Sequence, residues 1–196
     1  MDINNLIARR VRELRDARSF SLDSLAERSK VSRSNISLIE RGESSPTATV
    51  LDKLAAALGV TISSFFEDSG AAVAEPSPMA RAVEQPVWTD PVSGYVRRNL
   101  SSAAHSPIQL VEVSFPAGKR VAYETGAREV ETYQQVWMID GVMELTVGED
   151  LWLLKTGDCL AMRIDRPVVY RNPTRKAARY LVALATLPFA QSGSAR

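Results

Sequence analysis

The chain has 196 residues, 45% of them hydrophobic and 24% charged, with a formal net charge of +1. That length holds one large domain or two small ones, and the charge excludes a globally basic nucleic-acid wrapper while leaving room for a local recognition surface. One cysteine, Cys159, and one histidine, His105, exclude an internal disulfide and argue against a Cys/His metal cage.

The start, Met1-Asp2-Ile3-Asn4-Asn5, lacks the basic-then-apolar order of a secretory signal. No apolar run approaches the ~20 residues of a membrane span. A cytoplasmic protein without membrane contact is expected. Up to Phe66 the pattern is helical. Ile3, Ile7, Val11 and Leu14 recur at helical spacing and predict a first helix over about 4–18. Ser21 suits the N-cap of a second helix carrying Leu22, Leu25 and Ala26. Only Lys30 and Val31 separate it from Ser32, which suits the cap of a third helix over 33–41 with Ile36 and Ile39 inward. Gly42 falls where a left-handed C-cap belongs. Pro46-Thr47 opens a fourth helix through Val50, Leu51, Leu54 and Leu58, closed by Gly59. A fifth, short helix holds Ile62, Phe65 and Phe66.

Two helices joined by so tight a turn form a helix-turn-helix, whose second helix lies in the DNA major groove with its first residues at the base edges. Arg33, Ser34 and Ser37 stand at or near that end, with Arg41 one turn beyond Ser37. Arginine donates two hydrogen bonds to guanine, and serine bonds several base edges. Ser32 and the Thr47 hydroxyl, with nearby backbone N–H groups, suit phosphate contacts that set the register. Three stretches carry a resemblance: Ser21 to Arg28, Val31 to Gly42, and Ser45-Pro46-Thr47 with the run Leu54 to Val60. In residue types and gaps they resemble the XRE/phage-repressor helix-turn-helix family. The resemblance implies base reading by Arg33, Ser34 and Ser37, and a structural ion pair between Arg15 and Glu40. Leu38 stands where some relatives place a polar reader; it either meets a thymine methyl or packs.

The small, Pro-punctuated run from Asp68 to Pro78 has linker composition. The division expected is 1–67 for the helix-turn-helix domain, 68–86 for a linker, 87–187 for a β domain and 188–196 for a frayed tail. Residues 1–66 carry ten Lys/Arg and eight Asp/Glu, against fourteen and fifteen in the remainder. Beyond Val87, β-type runs over 95–100, 108–115, 120–125, 135–139, 142–147, 151–154, 159–164, 168–171 and 180–185 alternate with turns. Asp140-Gly141 predicts a type I′ hairpin. Gly148-Glu149-Asp150 and Thr156-Gly157-Asp158 mark further turns. Many short strands at regular spacing predict an antiparallel sandwich or small barrel.

Pro116-Ala117-Gly118, the run Trp137 to Leu145, Thr156-Gly157-Asp158 and Pro167 to Asn172 resemble the cupin family of double-stranded β-helix (jelly-roll) domains. With the preceding helices, the chain is similar to bacterial XRE–cupin regulators. The positions that hold two His, a Glu and a third His in metal-binding cupins fall here on Tyr123, Thr125, Gln134 and Val168. Valine cannot ligate, and Thr and Gln are poor substitutes. No metal, no cofactor and no catalytic residues are expected.

What remains is a barrel that either holds a small molecule or is filled by its own side chains. Strand alternation points Val136 and Met138 inward beside Gln134, and Tyr170 beside Val168. The candidate ligand-binding set is therefore Tyr123, Thr125, Gln134, Met138, Val168 and Tyr170. Arg163, Arg166 and Arg171 offer an anion site only if they face inward. The function expected is a sequence-specific DNA-binding regulator that binds an operator as a homodimer paired through its metal-free β domain. That domain binds a small-molecule effector of unstated identity. A cupin enzyme with an ancillary helix-turn-helix, and a protein-interaction module, are the alternatives.

Overall fold

Ser21 and Ser32, which suit helix caps in the sequence, cap helices in the computed structural model, which describes residues 2–67, 77–104, 106–124 and 130–188. Helix α1 (Ile3–Ala17) starts on Asp2, whose carboxylate accepts from the Asn4 N–H at 3.1 Å. Helices α2 (Leu22–Ser29), α3 (Arg33–Glu40) and α4 (Ala48–Ala57) start on Ser21, Ser32 and Thr47, each accepting from the N–H three residues on. Ile7, Val11, Leu25, Ile36, Ile39, Leu51 and Leu54 are buried where they meet. The predicted fifth helix is a single 3₁₀ turn, Ile62–Phe66. Five residues with two serines and a β-branched start cannot offset the cost of nucleating an α-helix, and burial of Phe65 and Phe66 holds the turn instead. Among the described residues there are thus four α-helices, not five.

Ten strands follow: β1 (Val87–Thr89), β2 (Val96–Asn99), β3 (Ile108–Phe115), β4 (Arg120–Tyr123) and β5 (Val130–Asp140). Next come β6 (Val142–Val147), β7 (Asp150–Lys155), β8 (Cys159–Arg163), β9 (Val168–Arg171) and β10 (Ala178–Pro188). They form two antiparallel sheets, ordered β1-β2-β3-β10-β5-β8 and β4-β9-β6-β7. Inward residues alternate along the strands, as a half-buried sheet requires; in β6, Met143, Leu145 and Val147 are buried.

The Asp140-Gly141 hairpin does not form. β5 pairs with β10 and β8, whereas β6 pairs with β7 and β9, so Gly141 is a corner at which the chain leaves one sheet for the other. It sits at φ +86°, and an added Cβ would stand 3.0 Å from the Ala178 Cα. The β6–β7 connection is the true two-residue hairpin, with Val147 opposite Asp150 and Gly148 at φ +62°.

The helices sit directly on the strands. Asp90, buried after β1, accepts the Ala48 N–H at 2.8 Å and the Ser93 N–H at 2.7 Å. Its negative charge thereby lies at the α4 N-terminus, where the helix dipole favours it. Thr61 donates to Gln109 Oε1 at 2.9 Å, Gln109 donates to Glu67 at 2.8 Å, and Lys53 pairs with Glu124 at 3.2 Å. The buried apolar residues form one cluster that spans both halves.

Candidate functional site

Helix α3 packs against α1 and α2 and leaves its N-terminal edge open. Ser32, Arg33, Ser34 and Leu38 are exposed and Ser37 is partly so. Arg33 pairs with Asp23 of α2 at 3.0 Å, with its side chain 64% exposed. Arg41, the C-cap of α3, donates to Ser37 Oγ at 2.6 Å and grips Glu43 at 2.8 Å. That hydrogen bond holds the Glu43 carboxyl below, and the Arg41 guanidinium above, its ordinary range. Ser32 and Thr47 spend lone pairs as caps but keep hydroxyl protons to donate. The candidate readers thus share one face of one helix.

Beneath that face Arg15 and Glu40 make a two-pronged pair, Nε to Oε1 at 2.7 Å and Nη2 to Oε2 at 2.9 Å. Glu40 is buried, and its hydrogen bond raises the Arg15 pKa. The pair ties α1 to α3 and so fixes the angle at which the reading face is held.

The second site is a cavity of ≈ 90 Å³ inside the sandwich. Tyr123, Gln134, Val168 and Tyr170 line it, and Gln134 donates to the Tyr170 hydroxyl. Met138 is fully buried but lies outside this lining, and Thr125 lies outside the described residues. Strand alternation also missed most of the wall. Thr132 and Tyr180 join it from the strands, and Tyr95 from the position just before β2. Asp52 of α4, Thr61 just before the 3₁₀ turn and Ile62 within it close it from the helical half.

Of the three arginines singled out for an anion site, Arg163 and Arg171 hold Glu131 and Glu144 at 3.0 and 2.9 Å on the surface. Arg166 pairs with Asp165 at 2.9 Å and reaches the cavity. The buried cation is a fourth, Arg97 on β2, 7% exposed. It donates to Ser63 Oγ at 2.5 Å and lies 5.7 Å from the Phe66 ring centroid. Burial lowers its pKa. In the sequence Arg97 stands next to Arg98 with no apolar alternation around them, so nothing marks which of the two turns inward.

Seven rings run through the interior. Phe66, Trp88, Tyr95, Phe115, Tyr180, Tyr170 and Tyr123 follow one another with centroids 5.7–6.5 Å apart, and the Tyr95 and Tyr123 hydroxyls meet at 3.1 Å. The path joins the 3₁₀ turn to the cavity. At the cupin metal positions that fall within the described residues stand a phenol, a carboxamide and an alkyl group. Among the described residues no three His, Cys, Asp or Glu side chains cluster as a metal cage. These donors do not fit a resident metal.

Comparison with known proteins agrees with this architecture. A helix-turn-helix family model matches residues 11–65. The chain is 29% identical over 165 residues to the HTH-type transcriptional regulator SutR of Escherichia coli (strain K12), covering 83% of this chain and 84% of that protein. The crystal structure of an HTH_3 family transcriptional regulator from Vibrio cholerae superposes with a TM-score of 0.72 at 25% identity, covering 93% of this chain and 96% of that one. No helix among the described residues is long and apolar enough to cross a membrane.

Proposed function

We propose that this chain is an XRE-type helix-turn-helix transcription regulator with a C-terminal cupin domain, in which an effector in the barrel cavity sets the affinity of the helical domain for its operator. The observation that carries the reading is the shared wall: Asp52, Thr61 and Ile62 close a cavity otherwise built from strands. A ligand shifts a conformational equilibrium only by its differential affinity for the two states. One that touches α4 and the 3₁₀ turn directly has the means to discriminate between placements of the helices.

In this reading Arg33, Ser34 and Ser37 read bases, Leu38 and Arg41 flank them, and Ser32 and Thr47 hold phosphates. With ten Lys/Arg against eight Asp/Glu in residues 1–66, one module binds weakly and two are needed, on half-sites about 34 Å apart. The β domain supplies the pairing. Strand β7 is an edge of its sheet and exposes Leu151, Trp152 and Leu153 in succession, an apolar edge of the kind that seeks a partner.

Selection of bound fragments from random duplex DNA tests the reading. A palindromic or directly repeated site, bound by a dimer in sedimentation, is the result expected. Binding without sequence preference, or by a monomer at full affinity, would overturn it.

A further inference from the structure

We infer that the cavity is a site for a small organic carboxylate of about four to six heavy atoms, anchored by Arg97. The inference deepens the effector reading above and rests on it only for the consequence at DNA. Arg97 is a guanidinium in the barrel interior, and among the described residues no carboxylate lies within ion-pair distance of it. One of its N–H groups is used on Ser63, and its Nε is buried without a hydrogen-bond acceptor. A buried arginine whose donors are unspent carries a desolvation cost that an arriving carboxylate offsets. A second orphan lies on the same wall: the Thr132 hydroxyl, 2% exposed, has no partner either. Both residues line the same cavity, and buried polar groups left without a partner are uncommon in a finished core.

The surroundings specify the class. Four tyrosine hydroxyls face the cavity, and burial raises the pKa of each, so they remain protonated and able to donate. Val113, Ile164, Val168, Val182 and Leu184 supply an apolar wall, which suits a short alkyl body better than a fully hydrated inorganic anion. The volume, ≈ 90 Å³, is below the roughly 150 Å³ of a cavity that takes benzene, so the occupant is small. Asp52 and Glu124 also line the cavity. Lys53 holds Glu124 at 3.2 Å, and Arg97 is the buried cation of the lining, so the anion belongs at Arg97.

Calorimetric titration and thermal unfolding of the full chain with acetate, propionate and isobutyrate test this, against isobutyramide, sulfate and phosphate. Saturable binding of at least one carboxylate, with isobutyramide at least tenfold weaker, is expected. Arg97→Lys should weaken that carboxylate at least tenfold. Since Arg97 also holds Ser63, Thr132→Val is the cleaner variant: it removes an unsatisfied hydroxyl, so the unliganded protein keeps or gains thermal stability while carboxylate affinity falls several-fold. Equal binding of acid and amide, binding of sulfate or phosphate alone, no binding of any carboxylate, or wild-type affinity in both variants would each overturn the inference. Carboxylate binding that obeys both variants yet leaves operator affinity unchanged would uphold the site and reject the regulatory reading instead.

Discussion

Arg33 reaches outward from the first turn of α3, and in the free protein its partner is Asp23 at 3.0 Å. Both side chains are largely exposed, and exposed pairs contribute about 0–1 kcal/mol, so DNA displaces Asp23 at little cost. A guanidinium released in the major groove can then meet guanine O6 and N7 together. Arg33→Ala should weaken specific binding by on the order of 1–3 kcal/mol and relax the preference at one position per half-site. Fluorescence anisotropy on the selected site and its single-base variants measures both effects. Unchanged affinity and preference would remove Arg33 from the readers. Glu40, one turn deeper, answers a different question. It is buried against Arg15 and also accepts from Arg12 at 3.1 Å through its carbonyl. Glu40→Gln leaves Arg15 with Asp16 and the Phe20 carbonyl, so the loss should be about 2–3 kcal/mol, at or below the low end for a buried pair broken on one side. Chemical denaturation reads it, and a loss under about 0.5 kcal/mol would show the pair to be ornamental.

Among the elements, the turn between α2 and α3 holds a residue in an unfavourable conformation. Lys30 closes α2 at φ 57°, ψ 23°, left-handed backbone that costs an L-residue roughly 1–2 kcal/mol. Glycine has no such cost but gives the unfolded chain more freedom. Lys30→Gly should therefore stabilise by about 0.5–1 kcal/mol, a rise of roughly 1–4 °C in Tm; a fall in Tm would mean that the lysine side chain is itself a contact. Gly141→Ala goes the other way. At φ +86° and 3.0 Å from Ala178, a methyl group meets backbone, and on the order of 2–4 kcal/mol should be lost. The two positions show what was legible. Caps at Ser21 and Ser32, the start of α4 at Pro46-Thr47 and the strands β3, β6 and β9 follow from local chemistry, where side chain and backbone interact within a few residues. The role of Gly141 does not, because a hairpin and a sheet-to-sheet corner both require a positive φ there and differ only in partners far along the chain. The same holds for the cavity. The resemblance to cupins placed Tyr123, Gln134 and Val168, and alternation added Tyr170, whereas Arg97, Thr132 and Asp52 became lining only through the docking of three distant elements.

At the scale of the molecule, the interior is held by phenols that cannot ionise in place. Tyr95, Tyr170 and Tyr180 are buried, and desolvation raises the pKa of each above its ordinary value near 10. The folded state therefore keeps these protons while the unfolded state releases them. Below pH 10 both states are protonated and the tyrosines confer no pH dependence; above it stability falls by up to about 1.4 kcal/mol per pH unit for each tyrosine, until the folded pKa is reached. Three together give a steep decline. Because the same rings connect Phe66 of the helical half to the cavity, their ionisation should coincide with the loss of both halves. An alkaline titration should show phenolate absorbance and helical circular dichroism changing in one step above pH 10. Phenolate signal from three tyrosines well before any loss of helix would mean that hydroxide reaches the cavity of the folded protein. Helix lost first would mean that the DNA-binding half detaches from an intact barrel, which would deny the shared cavity its hold on operator binding.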